Sequence, residues 1–274
     1  MNIDDVARVS RLALVMQLRE ASFAPLALAA AKVSGELLVG ASAHGRRLEV
    51  VMAYDPAAHE VLAPGVAALP GADQLRVRID GDDSEVMFGR HTRIAPGAAV
   101  DEVAPPGARE TWLELVEQMC SIADARISGV ARAADGRRGL IQVGYPARDR
   151  DTDAMLVEAI DQLGEGIGVS GPQRTLFRRL HPQLGKGGEI GVSTRCTETA
   201  VSSYFAISYP ISTWETAVRL AAGLVLNDSE GKEVSRRLGE LAGALAADQL
   251  TGIELVLGPH EPPDLVVWAR VAPR

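Results

Sequence analysis

At 274 residues and 47% hydrophobic content, the chain carries enough apolar material for one large domain or two small ones. A formal net charge of −8 with dispersed basic residues argues against a nucleic-acid surface or a polybasic membrane patch, and leaves anionic small ligands to local basic clusters. The two cysteines, Cys120 and Cys196, show no metal spacing and fit free thiols in a reducing compartment better than a disulfide framework, with one bridge left open. No basic segment precedes the first apolar stretch, and residues 26–33 are too short to span a bilayer, so the expectation is a soluble cytoplasmic protein with no membrane partner.

Helical periodicity runs over residues 3–20, and Pro25 is expected to break it from a short second helix ending near Val33. Residues 37–42 and 47–54 then read as strands around His44-Gly45, closed by Asp55-Pro56. Residues 56–71 are rich in alanine and proline and read as a broken helix or loop. Strict alternation over 75–80, a turn at Gly81-Asp82-Asp83 and a partner over 86–94 make a second hairpin. Residues 95–107, with three prolines, read as a long loop.

The cleanest unit follows. Trp112, Leu115, Val116 and Met119 fall at helical spacing, with Thr111 and Glu114 placed as a capping box. Residues 126–145 alternate on either side of Asp135-Gly136, a pair that tolerates the positive φ of a tight hairpin turn. Met155, Leu156, Ala159, Ile160 and Leu163 form the next helical stripe, ended by a glycine-rich bend at 164–171. Residues 189–197 and 201–209 give a fourth hairpin. Ser212 and Glu215 are placed to cap a helix bearing Trp214, Ala217, Val218 and Ala221, and Val234, Leu238, Leu241 and Leu245 mark another. Residues 252–257 and 265–271 make the fifth hairpin.

Five hairpins are ten antiparallel strands. An open sheet of ten would leave two edges exposed, and closure removes them. The expected fold class is therefore α+β, a ten-stranded antiparallel barrel of repeated αββα units inside a ring of helices, as a single domain over residues 1–274. Two α+β domains meeting near Pro105 are the alternative.

Period two also separates an aliphatic face from a polar one in each strand. Leu48, Val50 and Met52, with Leu75, Val77 and Ile79, are expected to meet the helices. Arg47 and Glu49; Arg76, Arg78 and Asp80; Arg132; Gln142; Ser193, Arg195 and Thr197; Tyr204; Glu254; and Trp268 with Arg270 would then point inward. In an open sheet the same residues would be a solvated face. In a closed barrel they form an arginine-bearing lumen, and guanidinium groups bind phosphate bidentately while staying charged when desolvated.

This element order resembles that of the ABBA-type aromatic prenyltransferases, the prenyltransferase-barrel family, over nearly the whole chain. Local matches are Gly45-Arg46 with Leu48-Glu49, Ile79-Asp80-Gly81, Arg90-His91-Thr92 and Phe205-Ala206. The resemblance implies transfer of an isoprenyl group from its diphosphate to a small aromatic acceptor. It implies an acidic residue at Glu49 near the diphosphate or its magnesium, a basic residue at Arg90 on the diphosphate, and a polar residue near Gln142. No cofactor is required, and Mg2+ is compatible. Basic positions of the family fall here on Ser202 and on Val266 or Val267, which leaves Arg195 and Arg270 as substitutes from neighbouring positions. Tyr204 and Trp268 are the candidates to shield an allylic cation, and Glu49 or Glu254 to orient the acceptor or take its proton. With Arg47, Arg78, Arg90, Arg132 and Gln142 these residues make up the expected site. The same barrel catalysing a cyclisation or isomerisation of a hydrophobic metabolite, or a non-catalytic binding protein, are the alternatives.

Other motifs carry less. Residues 166–171 spell G-x-G-x-x-G but follow a helix instead of a strand, so a helix terminator is the better reading. Residues 185–188 lack the upstream glycine and the Ser/Thr of a phosphate-binding loop. Ser229 and Lys232 match S-x-x-K at a helix start, where capping is the expected role. The five histidines are isolated, and no metal site is expected.

Overall fold

The structure is a computed structural model that describes residues 7, 10–12, 14–33, 35–43, 47–81, 83–122, 124–146, 150–184, 189–198, 201–210, 213–222, 228–245, 250–259 and 262–271. Ten strands come in five hairpins: β1 (Leu37–Ser42) with β2 (Arg47–Ala53), β3 (Gln74–Asp80) with β4 (Asp83–His91), β5 (Arg126–Ala133) with β6 (Arg138–Tyr145), β7 (Ile190–Thr197) with β8 (Val201–Pro210), and β9 (Leu250–Leu257) with β10 (Asp264–Val271). They close into an antiparallel barrel in sequence order, β1 pairing with β10 from Leu37 opposite Val271 to Ser42 opposite Val266. Closure leaves no strand edge, which is what ten consecutive antiparallel strands require. The helices are α1 (Glu20–Ala30), α2 (Pro56–Leu62), α3 (Pro96–Val103), α4 (Arg109–Cys120), α5 (Arg150–Gly166), α6 (Gly171–Leu184), α7 (Trp214–Ala222) and α8 (Asp228–Leu245).

By their contacts the residues fall into two compact units. The first comprises 1–89, 211–253 and 264–274, and the second 90–210 and 254–263.

In the first unit, β2 and β3 pair Leu48 with Ile79, Val50 with Val77 and Met52 with Leu75. All six side chains are buried, each contributing about 1.5–3 kcal/mol of transfer free energy. Leu75 in turn faces Phe88 of β4, whose ring meets His59 of α2 edge-on at 4.7 Å. The aliphatic face therefore meets the helical layer, as its period requires, and the intervening residues look into the barrel. Helix α2 begins where Asp55 accepts hydrogen bonds from the amides of Ala57 and Ala58, with Pro56 in the first turn, where its missing N–H costs nothing. Pro25 does not break the first helical segment, because it lies inside α1. The backbone turns earlier, at Gln17, where φ is +54°.

In the second unit, Trp112 of α4 is fully buried against β6. A Cβ at Gly139 would lie 2.7 Å from its ring. Tyr145 donates a hydrogen bond from its phenol to the carbonyl of Met119 at 3.0 Å. Residues 96–103 are helical instead of a loop, since Pro96 opens α3 at its N-terminus. Helix α4 starts at Arg109, just past the positive-φ Gly107, so Thr111 is already inside it and the expected capping box does not form. Gly168, at φ +87°, ends α5, and Val169 donates its amide to the Gly164 carbonyl. The glycine-rich motif is thus a helix terminator. It leads into α6, a helix the sequence analysis did not anticipate. Ser212, residues 185–188 and His44 fall outside the described residues.

Candidate active site on the inward barrel face

The site is built by strand register. In the first unit, Arg47 pairs with Asp80 and Glu49 with Arg78 across β2 and β3, and Arg78 with Glu85 across β3 and β4. Directly opposed residues point to the same side of a sheet, so these polar side chains share the inward face. The guanidinium of Arg76 meets the Glu49 carboxylate at 3.0 Å. Arg78 donates to Asp80 at 2.9 Å, and Arg47 to the same oxygen at 3.3 Å. Asp264 of β10 lies 3.9 Å from Arg47 and accepts a hydrogen bond from Ser42 of β1 at 2.8 Å. Arg47, Glu49, Arg76 and Glu85 are each 8% exposed. Burial pushes the Asp80 carboxyl up, but the Arg78 hydrogen bond and the charges of Arg47 and Arg78 outweigh it and hold the group below its ordinary range.

This cluster is a lattice of arginines and carboxylates. Three guanidinium groups, Arg47, Arg76 and Arg78, face four carboxylates, Glu49, Asp80, Glu85 and Asp264. The Nε of Arg76 is buried and makes no hydrogen bond to the described residues. It is a donor that an incoming acceptor oxygen would satisfy, worth about 1.5–3 kcal/mol for a charge-assisted bond. Trp268 lies on the same face, pairing with Gly40. A Cβ at Gly40 would sit 2.9 Å from the indole, so glycine there is what lets the ring lie against β1. Among the described residues Trp268 is the one aromatic side chain that register turns inward.

The second unit has its own inward face. Gln142 pairs with Ser193 and Leu140 with Arg195 across β6 and β7. Arg195 is 6% exposed. Glu254 is buried and accepts a hydrogen bond from Ser208 at 3.2 Å. The Tyr204 side chain is outside the described residues.

Three expected site residues sit elsewhere. Arg132 pairs with Gly139, on the side of Ile141 and Val143 that meets α4. The cause is a β-bulge between Ile127 and Gly129, whose extra residue, Ser128, reverses the alternation beyond it. Arg90 is bound to Glu102 of α3 at 2.5 Å and faces the helical layer. Arg270 shares the face of Trp268 by register but lies near the end of β10, exposed and paired with Glu36 at 3.4 Å.

One cluster escaped the sequence reading. His181 of α6 is 1% exposed, with Nε2 3.0 Å from Asp153 of α5 and Nδ1 3.2 Å from the Tyr209 phenol of β8. Burial first, then the charge of Asp153, pushes the phenol well above its usual range. The phenol therefore stays protonated, with one ring nitrogen of His181 in hydrogen-bond reach of it and the other in reach of Asp153. The triad straps α5 and α6 to β8 on the barrel's outer side. Cys120 and Cys196 are free thiols, both pushed up to about 11 by burial. Among the described residues no group of three or more His, Cys, Asp or Glu side chains is arranged to hold a metal ion. No described helix is long and apolar enough to cross a membrane.

No protein-family profile matches the chain, and no curated protein does. Solved structures do. The prenyltransferase PriB in binary complex with product diphosphate aligns with a TM-score of 0.66 at 15% identity, covering 98% of this chain and 97% of PriB. PriB in ternary complex with L-tryptophan and dimethylallyl thiolodiphosphate gives 0.61 at 16%, with the same coverage. The 5-dimethylallyltryptophan synthase from Streptomyces coelicolor gives 0.60 at 10%, covering 96% and 95%. The fold is that of the ABBA-type aromatic prenyltransferases. At these identities the likeness establishes the prenyltransferase barrel and leaves its chemistry to be argued from the site.

Proposed function

We propose that this protein is a prenyltransferase-barrel enzyme that transfers an isoprenyl group from its diphosphate to a small aromatic acceptor, in specialised metabolism and in the cytoplasm, working as one domain over residues 1–274. The observation that carries the reading is the buried arginine cluster of the first unit, on a barrel whose solved counterparts include one bound to diphosphate. In the reaction, the allylic C–O bond breaks and the electron pair leaves on the diphosphate oxygen. The acceptor ring attacks the allylic carbon, a C–C bond forms, and the ring proton passes to a carboxylate. Arg47, Arg76 and Arg78 stabilise the leaving charge, with the bare Nε–H of Arg76 as a further donor. Trp268 offers its ring face to the cation. Glu49, held by Arg76, is the candidate for the proton.

A second reading has its own support. The arginines are already balanced by carboxylates, three against four, and Trp268 is the single inward aromatic among the described residues. That arrangement favours a cyclisation or isomerisation of a hydrophobic metabolite, in which the arginines hold carboxylates that move protons. Titration calorimetry with inorganic diphosphate and with dimethylallyl thiolodiphosphate separates the two. Prenyl transfer requires saturable binding of both, weakened at least tenfold by Arg78→Ala. Absence of binding by either ligand rejects it in favour of the second reading.

A further inference from the structure

A cleft in the second unit, apart from the inward face, has the chemistry of a binding site. Two concavities of about 510 and 380 Å³ share Arg93, Arg126 and Ile127. They therefore run into one another, within the size range of small-molecule sites. The larger is lined by Ile94 and Pro96 at the start of α3, by Ala125 just before β5, and by Glu117, Cys120 and Ser121 at the end of α4. The smaller adds His91, Thr92, Ser128 and Glu189.

The charges there are incompletely matched. Arg126 reaches Glu189 only at 3.9 Å. Arg93 makes no hydrogen bond or ion pair to any described residue, although it lines both concavities. Two guanidinium groups at one cleft repel each other, and an anion placed by Arg93 relieves the repulsion. Beside them lies an apolar surface of Ile94 and Pro96. Glu117 and Glu189 offset the two arginines in number, so the fit is to a monoanion on Arg93 and not to a polyanion such as a diphosphate.

We infer that this cleft binds a small amphipathic acid, its carboxylate or phosphate monoanion on Arg93 and its apolar body against Ile94 and Pro96. The inference does not depend on prenyl transfer. Ligand-observed NMR and calorimetry with benzoate and phenyl phosphate, against neutral benzamide as the isosteric control, test it. Either acid is expected to bind saturably and at least tenfold more tightly than benzamide. Arg93→Ala should remove that preference. Arg93 is exposed, and an unchanged circular dichroism melt confirms that Arg93→Ala folds. No saturable binding of either acid, equal binding of benzamide, or an unaltered affinity in Arg93→Ala overturns the inference.

Discussion

Replacing Arg76 by alanine strips the Glu49 carboxylate of a guanidinium 3.0 Å away, with the two side chains only 10% and 11% exposed. At an effective dielectric of about 20, Coulomb's law gives about 5.5 kcal/mol of gross attraction at that distance. Desolvation of both ions offsets much of it, so the net worth of the pair is small. Removing one partner is different, because the other stays behind as a buried charge, at a cost of about 3–5 kcal/mol. Arg76→Ala and Glu49→Gln should each lower stability, Arg76→Ala by that amount, corresponding to about 10 °C in melting temperature for a chain of this size. The double variant Arg76→Ala with Glu49→Gln removes both charges and should cost clearly less than the sum of the two singles. Urea unfolding followed by circular dichroism supplies the cycle. If Arg76→Ala costs under about 1 kcal/mol, or the double variant costs the sum of the singles, the pair is not the buried unit described.

Further outcomes follow from the helical layer and the thiols. Asp161 of α5 is 5% exposed and accepts from Arg178 at 2.7 Å and Arg174 at 2.9 Å. The Arg178 hydrogen bond holds its carboxyl below the ordinary 3.8 despite burial. Its stabilisation is therefore complete above about pH 4 and lost as pH falls through the depressed value, and Asp161→Asn should flatten stability over that acid range in pH-dependent unfolding. Gly139→Ala forces a methyl onto the Val103 carbonyl and the Trp112 ring, and should cost on the order of 1–3 kcal/mol or more by overpacking, read as a shift of the urea midpoint. With both thiols pushed up to about 11, native Cys120 and Cys196 should react far more slowly with a disulfide reagent at pH 8 than the unfolded chain, and equal rates would contradict that.

The barrel was legible because strand alternation and turn residues are local signals. Leu48, Val50 and Met52 announce their face without help from the rest of the chain, and ten such strands in a row make closure the economical solution. Arg47, Glu49, Arg78, Arg195, Glu254 and Trp268 were placed inward correctly on that pattern. Arg132 was not, because one bulged residue at Ser128 reverses parity without leaving a mark in the composition. Arg90 was expected in the site only from the family resemblance, and the structure ties it to Glu102 of α3, in a segment whose prolines read as loop. The carboxylate balance of the arginine cluster was equally hidden. Asp80 and Asp264 come from strands far apart in sequence, and only closure brings β10 against β1 so that Asp264 approaches Arg47. The same holds for His181, which looked isolated until α5, α6 and β8 assembled around it.

The central claim is that the buried arginines of β2 and β3 serve a departing diphosphate. The most direct measurement is the release of diphosphate from dimethylallyl diphosphate incubated with an indole or phenol acceptor, with the alkylated ring followed by mass spectrometry. Equimolar diphosphate and prenylated acceptor are expected, with the rate reduced at least a hundredfold in Arg78→Ala. Release that needs no acceptor, no product with any ring tested, or an Arg78→Ala rate equal to that of the parent would contradict the account.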